Sequence, residues 1–275
     1  MNQEQGTGKG RLTRFARAKE EELARLRKGP IPGPYEGTRP SLAAALLAGG
    51  PGPLAVMAEY KRASPSRGVI CESVSVEDAV QAYRAGGASA ISVLTEEQYF
   101  RGKLDFLFRA RKALGEGSLP LLRKDFLFDP LQIEATATTP ASAFLLIVRQ
   151  TPDAKDLRAL RELGEGYGME AVVEVFDRED LELARTSGAR IIQVNARDLE
   201  TLAVDRTACL ALAREAGPRK GEVWIAASGM DSHEHLLAAR ESGYHAALVG
   251  TALMQDGELE RNLRRLLQPA QHAGI

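Results

Sequence analysis

From Leu54 onward, short apolar runs alternate with stretches of helical periodicity. The runs are Leu54–Ala58, Ala90–Leu94, Pro120–Arg123, Phe144–Val148, Ala171–Val175, Ile191–Val194, Val223–Ala226 and Ala246–Val249. Between them lie helical patterns such as Val76–Ala85, Lys103–Leu114, Asp153–Leu163, Arg178–Thr186 and Ser232–Ser242. A strand–loop–helix unit repeated about eight times implies a parallel sheet. An open nucleotide-binding sheet would want a G-x-G-x-x-G turn after its first strand. Here that strand runs into Glu59-Tyr60-Lys61-Arg62. Eight units in about 220 residues match a (β/α)₈ barrel. Upstream, Leu12, Phe15, Ala16, Leu23 and Leu26 approximate one apolar stripe, which predicts a single amphipathic helix over Leu12–Lys28. The breaker-rich run Gly29-Pro30-Ile31-Pro32-Gly33-Pro34 reads as loop, and Ser41 as the cap of a short helix over Leu42–Leu47. The expected organisation is therefore an N-terminal tail and helical extension over 1–53 and a barrel over 54–275, one domain overall.

Composition narrows the partners. The chain has 275 residues, a formal net charge of -1, 44% hydrophobic and 27% charged residues. A near-zero charge argues against nucleic acid or a membrane surface, either of which usually calls for a basic excess. No apolar run approaches the ~18 residues of a membrane span, and the N-terminus lacks the pattern of a secretory signal. Two cysteines, Cys71 and Cys209, are too few for a disulfide framework, so the cytoplasm is the default. A small molecule is the expected partner, and a monomer or weak homo-oligomer the expected assembly.

In such barrels the chemistry sits beyond the C-terminal ends of the strands. Strand one ends in Glu59, Lys61 and Ser64-Pro65-Ser66, strand three in Lys124-Asp125-Phe126, and strand five in Glu174. Glu59 and Lys61 stand two apart, so they point to one side. Because helices cover the outside of the barrel, two such charges are expected at its mouth, where they can pair with each other and with a ligand. Lys124 and Glu174 also close apolar runs, and two lysines with two carboxylates can tune pKa values in both directions. Ser228-Gly229 and Gly250-Thr251 follow strands seven and eight, the quarter where barrels often bind phosphate. Other features carry no function: Gly6-Thr7-Gly8-Lys9-Gly10 has no strand before it and reads as tail. His233 and His235 do not share a helix face, so no metal site is expected.

Several of these segments resemble indole-3-glycerol-phosphate synthase: A-E-Y-K-R-A-S-P-S-R-G at 58–68, S-V-L-T-E-E-Q-Y-F-R-G at 92–102 and L-L-R-K-D-F at 121–126. The resemblance extends through V-E-V at 173–175, N-A-R-D-L at 195–199, A-S-G-M at 227–230 and L-V-G-T-A-L-M at 248–254. It implies a barrel enzyme, free of metal and organic cofactor, that converts 1-(2-carboxyphenylamino)-1-deoxyribulose 5-phosphate into indole-3-glycerol phosphate. By this resemblance Lys124 is the general acid, and Glu174, Glu59 and Lys61 share the dehydration steps. Asn195 and Arg197 match sugar- and anthranilate-side contacts, with Ser64 and Leu199 in the same motifs. Phe100 and Phe126 match an apolar wall for the aryl ring, and Ser228, Gly229, Gly250 and Thr251 match a phosphate cup.

The chain departs from the resemblance in three places. Ala227 stands where the family usually has glutamate, Gln193 where it has glycine, and Pro140-Ala141 where it has glycine-alanine. The first implies a slower catalyst, the second a changed barrel mouth, the third only an altered helix end. If Gln193 points inward, it is expected to fill the space or take over a hydrogen bond left by the missing glutamate. The alternative to a working synthase is a slow or non-catalytic phosphate-binding barrel of the same family.

Overall fold

Eight parallel strands close into a barrel in the computed structural model, which describes residues 10–65 and 67–268. The strands are β1 (Ala55–Tyr60), β2 (Ala90–Leu94), β3 (Leu121–Lys124), β4 (Ala143–Ile147), β5 (Glu170–Val175), β6 (Ile191–Asn195), β7 (Val223–Ala227) and β8 (Ala246–Val249). Closure is direct: β1 pairs with β2 through Glu59 opposite Ser92, and with β8 through Ala58 opposite Val249. Parallel strands covered by helices are buried on both faces, which explains why they read as apolar runs rather than alternating ones.

Two cores result from the period-two alternation of the strands. Ala55, Met57, Leu122, Leu145, Val172, Ile191, Ile225 and Leu248 fill the lumen. Val56, Ile91, Leu121, Phe144, Val173, Ile192 and Trp224 face the helical ring. The ring comprises α4 (Val76–Gly86), α5 (Asp105–Leu114), α6 (Pro130–Ala137), α7 (Ala154–Gly166), α8 (Arg178–Ser187), α9 (Arg206–Ala216), α10 (His233–Glu241), the short α11 (Thr251–Met254) and α12 (Leu259–Leu267). Side-chain caps open most of them: Ser75, Asp153, Asp177, Asp205 and Ser232 each accept a backbone N–H of the first turn. Asp129-Pro130-Leu131-Gln132 forms a full capping box with proline in the first turn, and starts a helix that the apolar periodicity alone does not reveal.

The N-terminal segment meets the barrel at both ends. α3 (Leu42–Ala48) plugs the bottom, its Leu42 and Leu46 joining the lumen core. Ser41 caps it as anticipated, and the Glu170 carboxylate at the start of β5 accepts the backbone N–H of Leu42 and the Ser41 hydroxyl. At the top, the single helix expected over Leu12–Lys28 is two helices, α1 (Gly10–Ala18) and α2 (Glu20–Lys28), broken at Lys19. At the break the Lys19 side chain turns into the protein, 2% exposed, and its ammonium reaches Asp125 at 2.8 Å. Phe15 and Leu23 are buried as the stripe predicted, whereas the Leu12 side chain, Ser66 and the tail at 1–9 lie outside the described residues.

Candidate active site

A cavity of about 790 Å³ opens over the C-terminal strand ends, and every residue the sequence analysis assigned to the site lines it. These are Glu59, Lys61, Ser64, Phe100, Lys124, Phe126, Glu174, Asn195, Arg197, Leu199, Ser228, Gly229, Gly250 and Thr251.

Glu59, the penultimate residue of β1, is 2% exposed. Lys61 Nζ lies 2.7 Å from its Oε1 and Lys124 Nζ, from the end of β3, lies 3.9 Å from its Oε2. Burial would raise the Glu59 pKa, but Lys61 and Lys124, helped by Arg197, outweigh it and hold the carboxyl below its ordinary value. Glu59 is thus an ionised hub between two ammonium groups. Its Oε2 accepts no hydrogen bond among the described residues. Gly250 makes room for it: a Cβ at 250 would lie 2.6 Å from Glu59 Oε1 and 3.1 Å from its Cβ. That glycine is therefore a spacer for the Glu59 charge cluster as well as part of the loop after β8.

Glu174, on β5, is also 2% exposed, and its Oε2 accepts from Gln193 Nε2 on β6. Beside it, Asn195 Oδ1 accepts from Ser228 Oγ at 2.8 Å and from the Arg197 N–H at 3.0 Å. Arg197 is held in place through Nη1 to the Leu202 carbonyl at 2.9 Å. Ser228 and Gly229 both have positive φ, 68° and 73°, a conformation costly for the serine, so the turn after β7 is tightly specified. Arg206 Nη1 donates to the Gly229 carbonyl at 3.2 Å and fixes that turn from α9.

An aromatic wall closes one side. Phe100 and Phe126 lie 6.2 Å apart, and Phe15 of α1 stacks on Phe126 at 4.2 Å with planes 10° apart. Phe15 lines the cavity, although its sequence signal is only that of one more apolar position on a helix. Glu96 is as faint a signal along the chain. Its buried carboxylate accepts the backbone N–H groups of Gln98, Tyr99 and Phe100 at 3.0, 2.7 and 3.0 Å, so it shapes the loop that carries the wall. The signal available was a carboxylate two residues beyond a strand end. Among the described residues no group of three or more His, Cys, Asp or Glu could hold a metal ion. No described helix is long and apolar enough to cross a membrane.

Fold and site together define a class: a (β/α)₈-barrel enzyme with a cluster of opposite charges at the mouth and tight glycine turns after the last two strands. Within that class the family is explicit. The family model described as indole-3-glycerol phosphate synthase matches residues 16–266, and the chain belongs to that family. An indole-3-glycerol phosphate synthase of Carboxydothermus hydrogenoformans is 42% identical over 219 residues, covering 78% of this chain and 80% of that protein. That of Desulfotalea psychrophila is 37% identical over 268 residues, covering 94% and 98% respectively. Among solved structures, a 3-hexulose-6-phosphate synthase superposes with a TM-score of 0.62 at 14% identity, over 78% of this chain and all of that one. The N-acetylmannosamine-6-phosphate 2-epimerase of Clostridium perfringens gives 0.60 at 13%, over 83% and 97%. These last two share the barrel fold. The family is one of carboxy-lyases of tryptophan biosynthesis, and nothing at the mouth favours a non-catalytic barrel.

Proposed function

We propose that this chain closes the indole ring of 1-(2-carboxyphenylamino)-1-deoxyribulose 5-phosphate, releasing carbon dioxide and water to give indole-3-glycerol phosphate. One observation carries the assignment of roles: the Glu59 carboxylate sits between Lys61 and Lys124 on the cavity wall, while Glu174 has no cation within ion-pair distance among the described residues.

Lys124, the more loosely held of the two ammonium groups, donates a proton to the C2 carbonyl oxygen as the carboxylated aryl carbon attacks C2. Loss of carbon dioxide returns its bonding pair to the aryl ring and restores aromaticity. The hydroxyl formed at C2 then takes a second proton, from Lys61, and leaves as water, while the neighbouring carbon gives up a proton to a base. Glu174 is that base in this reading, since Glu59 is held ionised by its lysines and is correspondingly weak. Lys61, paired with Glu59, is placed to attract the substrate carboxylate. Asn195 spends its amide oxygen on Ser228 and Arg197, which leaves its Nδ2 donor for the sugar hydroxyls. Ser64, Arg197 and Leu199 line the substrate, and Phe100 and Phe126 flank the aryl ring. The turns at Ser228-Gly229 and Gly250-Thr251 receive the phosphate on backbone N–H groups. The described segment over 10–53 belongs to this working unit, because Phe15 enters the cavity and α3 closes the barrel. We assign the enzyme to the cytoplasm, as a monomer or weak homo-oligomer.

Purified protein given the substrate should produce rising indole fluorescence. Absence of turnover together with tight substrate binding would replace this reading with a phosphate-binding barrel.

A further inference from the structure

Gln193 occupies a lumen position on β6 with no exposed surface. It stands in register beside Glu174 on β5 and Ile225 on β7. The nearby inward positions are apolar, among them Leu145, Val172, Ile191, Ile225 and Leu248, so packing alone would favour another aliphatic side chain here. Among the described residues its amide makes one side-chain hydrogen bond, from Nε2 to Glu174 Oε2, and its fully buried Oε1 has no partner there. The orientation of the amide follows from its partner, since the Glu174 oxygen accepts and the NH₂ end must face it. A buried acceptor left unpaired is a standing penalty, and in a native core such a group calls for a reason outside stability.

The surroundings supply that reason. Ala227, opposite Asn195 in the β6–β7 register, offers only a methyl group to this side of the mouth. Gln193 is the one hydrogen-bond partner of the Glu174 side chain among the described residues.

We propose that Gln193 is a positioning residue: it holds the Glu174 carboxylate at the cavity from the β6 side, doing so in place of any polar group at position 227. The inference rests on the role given above to Glu174. Without the donated N–H, Glu174 is free to choose other rotamers, and productive alignment with the proton it removes becomes rarer while substrate contacts stay intact.

The test is a double-mutant cycle on the full-length enzyme with Gln193→Met and Glu174→Gln. Methionine keeps the unbranched shape and removes the donor. Gln193→Met should lower kcat by about 10- to 100-fold, the range of a hydrogen bond to a charged group, with KM within about twofold of the parent. The loss falls on kcat and not on KM, a split that a merely structural glutamine would not produce. In the Glu174→Gln background the same change should cost nothing further. An unchanged kcat in Gln193→Met, or an equal loss in both backgrounds, overturns the proposal. Parent-like kcat in Glu174→Gln alone overturns instead the role given to Glu174. Should Gln193→Met fail to fold, Gln193→Leu enters the same cycle with the same readings.

Discussion

Two buried charge clusters meet on β3, and they are built to opposite ends. In Arg123-Lys124-Asp125, Lys124 and Asp125 both line the cavity, whereas Arg123 turns outward to α6. Asp125 is fully satisfied. Its carboxylate accepts from Lys19 Nζ at 2.8 Å, the Phe126 N–H at 2.8 Å, Thr95 Oγ1 at 2.6 Å and Arg123 Nη2 at 3.0 Å. Arg123 also binds Glu22 at 2.9 Å and Thr136 Oγ1 at 2.8 Å, so α2 and α6 are tied to the strand end. Glu59, by contrast, has among the described residues one close lysine, one at 3.9 Å, and an oxygen with no hydrogen bond. The side chains of Lys61 and Lys124 are 15% and 20% exposed, whereas those of Lys19 and Arg123 are 3% and 1%. A cluster that has spent all its donors and acceptors can only hold structure. One that keeps some in reserve beside a cavity can receive a ligand.

The sharpest way to break this contrast is through the adjacent residues Lys124 and Asp125. Lys124→Ala should lose about 10²- to 10⁴-fold in kcat with KM largely kept and the unfolding midpoint unchanged. Steady-state kinetics and a urea titration on one preparation check both halves. Asp125→Ala should do the reverse in kind, destabilising by about 3–5 kcal/mol because the Lys19 and Arg123 charges stay buried without their carboxylate. If urea unfolding placed Asp125→Ala beside the parent, the cluster would not be the structural tie described.

Acid offers a subtler probe of the same cluster. Burial would push the Asp125 pKa up, but Lys19 and Arg123 outweigh it and bring it down from 3.8 to about 2. A carboxyl whose folded-state pKa lies below its unfolded value stabilises fully above the unfolded value, and this contribution is lost as the pH falls through the folded one. About 2 kcal/mol should therefore disappear between roughly pH 4 and pH 2. Stability measured across that window should fall more steeply for the parent than for Asp125→Asn, and parallel curves would remove Asp125 from the acid response.

Smaller effects sharpen the contrast further. Gly250→Ala forces a methyl against Glu59, and should reduce kcat by about tenfold as the carboxylate and its lysine shift, in line with a misaligned acid–base group. A neutral result would mean that the Glu59 cluster tolerates displacement, as a structural pair could. Smallest of all, Arg25→Ala removes an exposed pair with Glu97 at 3.3 Å, and should change stability by less than about 0.5 kcal/mol. A larger loss in thermal unfolding would show that the surface pairs of α2 also anchor it.

Much of this arrangement is legible along the chain because its causes are local. The eight apolar runs mark strands buried on both faces, and a charge at the end of such a run has the mouth as its nearest water. That reasoning reaches Glu59, Lys61, Lys124 and Glu174 without any knowledge of how the strands are registered. Capping chemistry is equally local, as Ser41 shows. The Asp129 box was readable on the same grounds, but the alanines and threonines of α6 give no apolar stripe to draw attention to it.

What escapes is every pairing made across the fold. Lys19 reads as one more solvated charge on an amphipathic helix, yet it breaks that helix to reach a carboxylate 106 residues away. Phe15 reads as core and becomes cavity wall by stacking on Phe126. Gln193 could be suspected of filling a gap, but only the placement of β6 against β5 gives its amide to Glu174 and leaves Ala227 opposite Asn195. The division has a physical origin. A strand's two faces and a helix's cap follow from backbone geometry within a few residues, whereas the partner that satisfies a buried polar group is chosen by which distant segments the closed barrel brings within 3 Å.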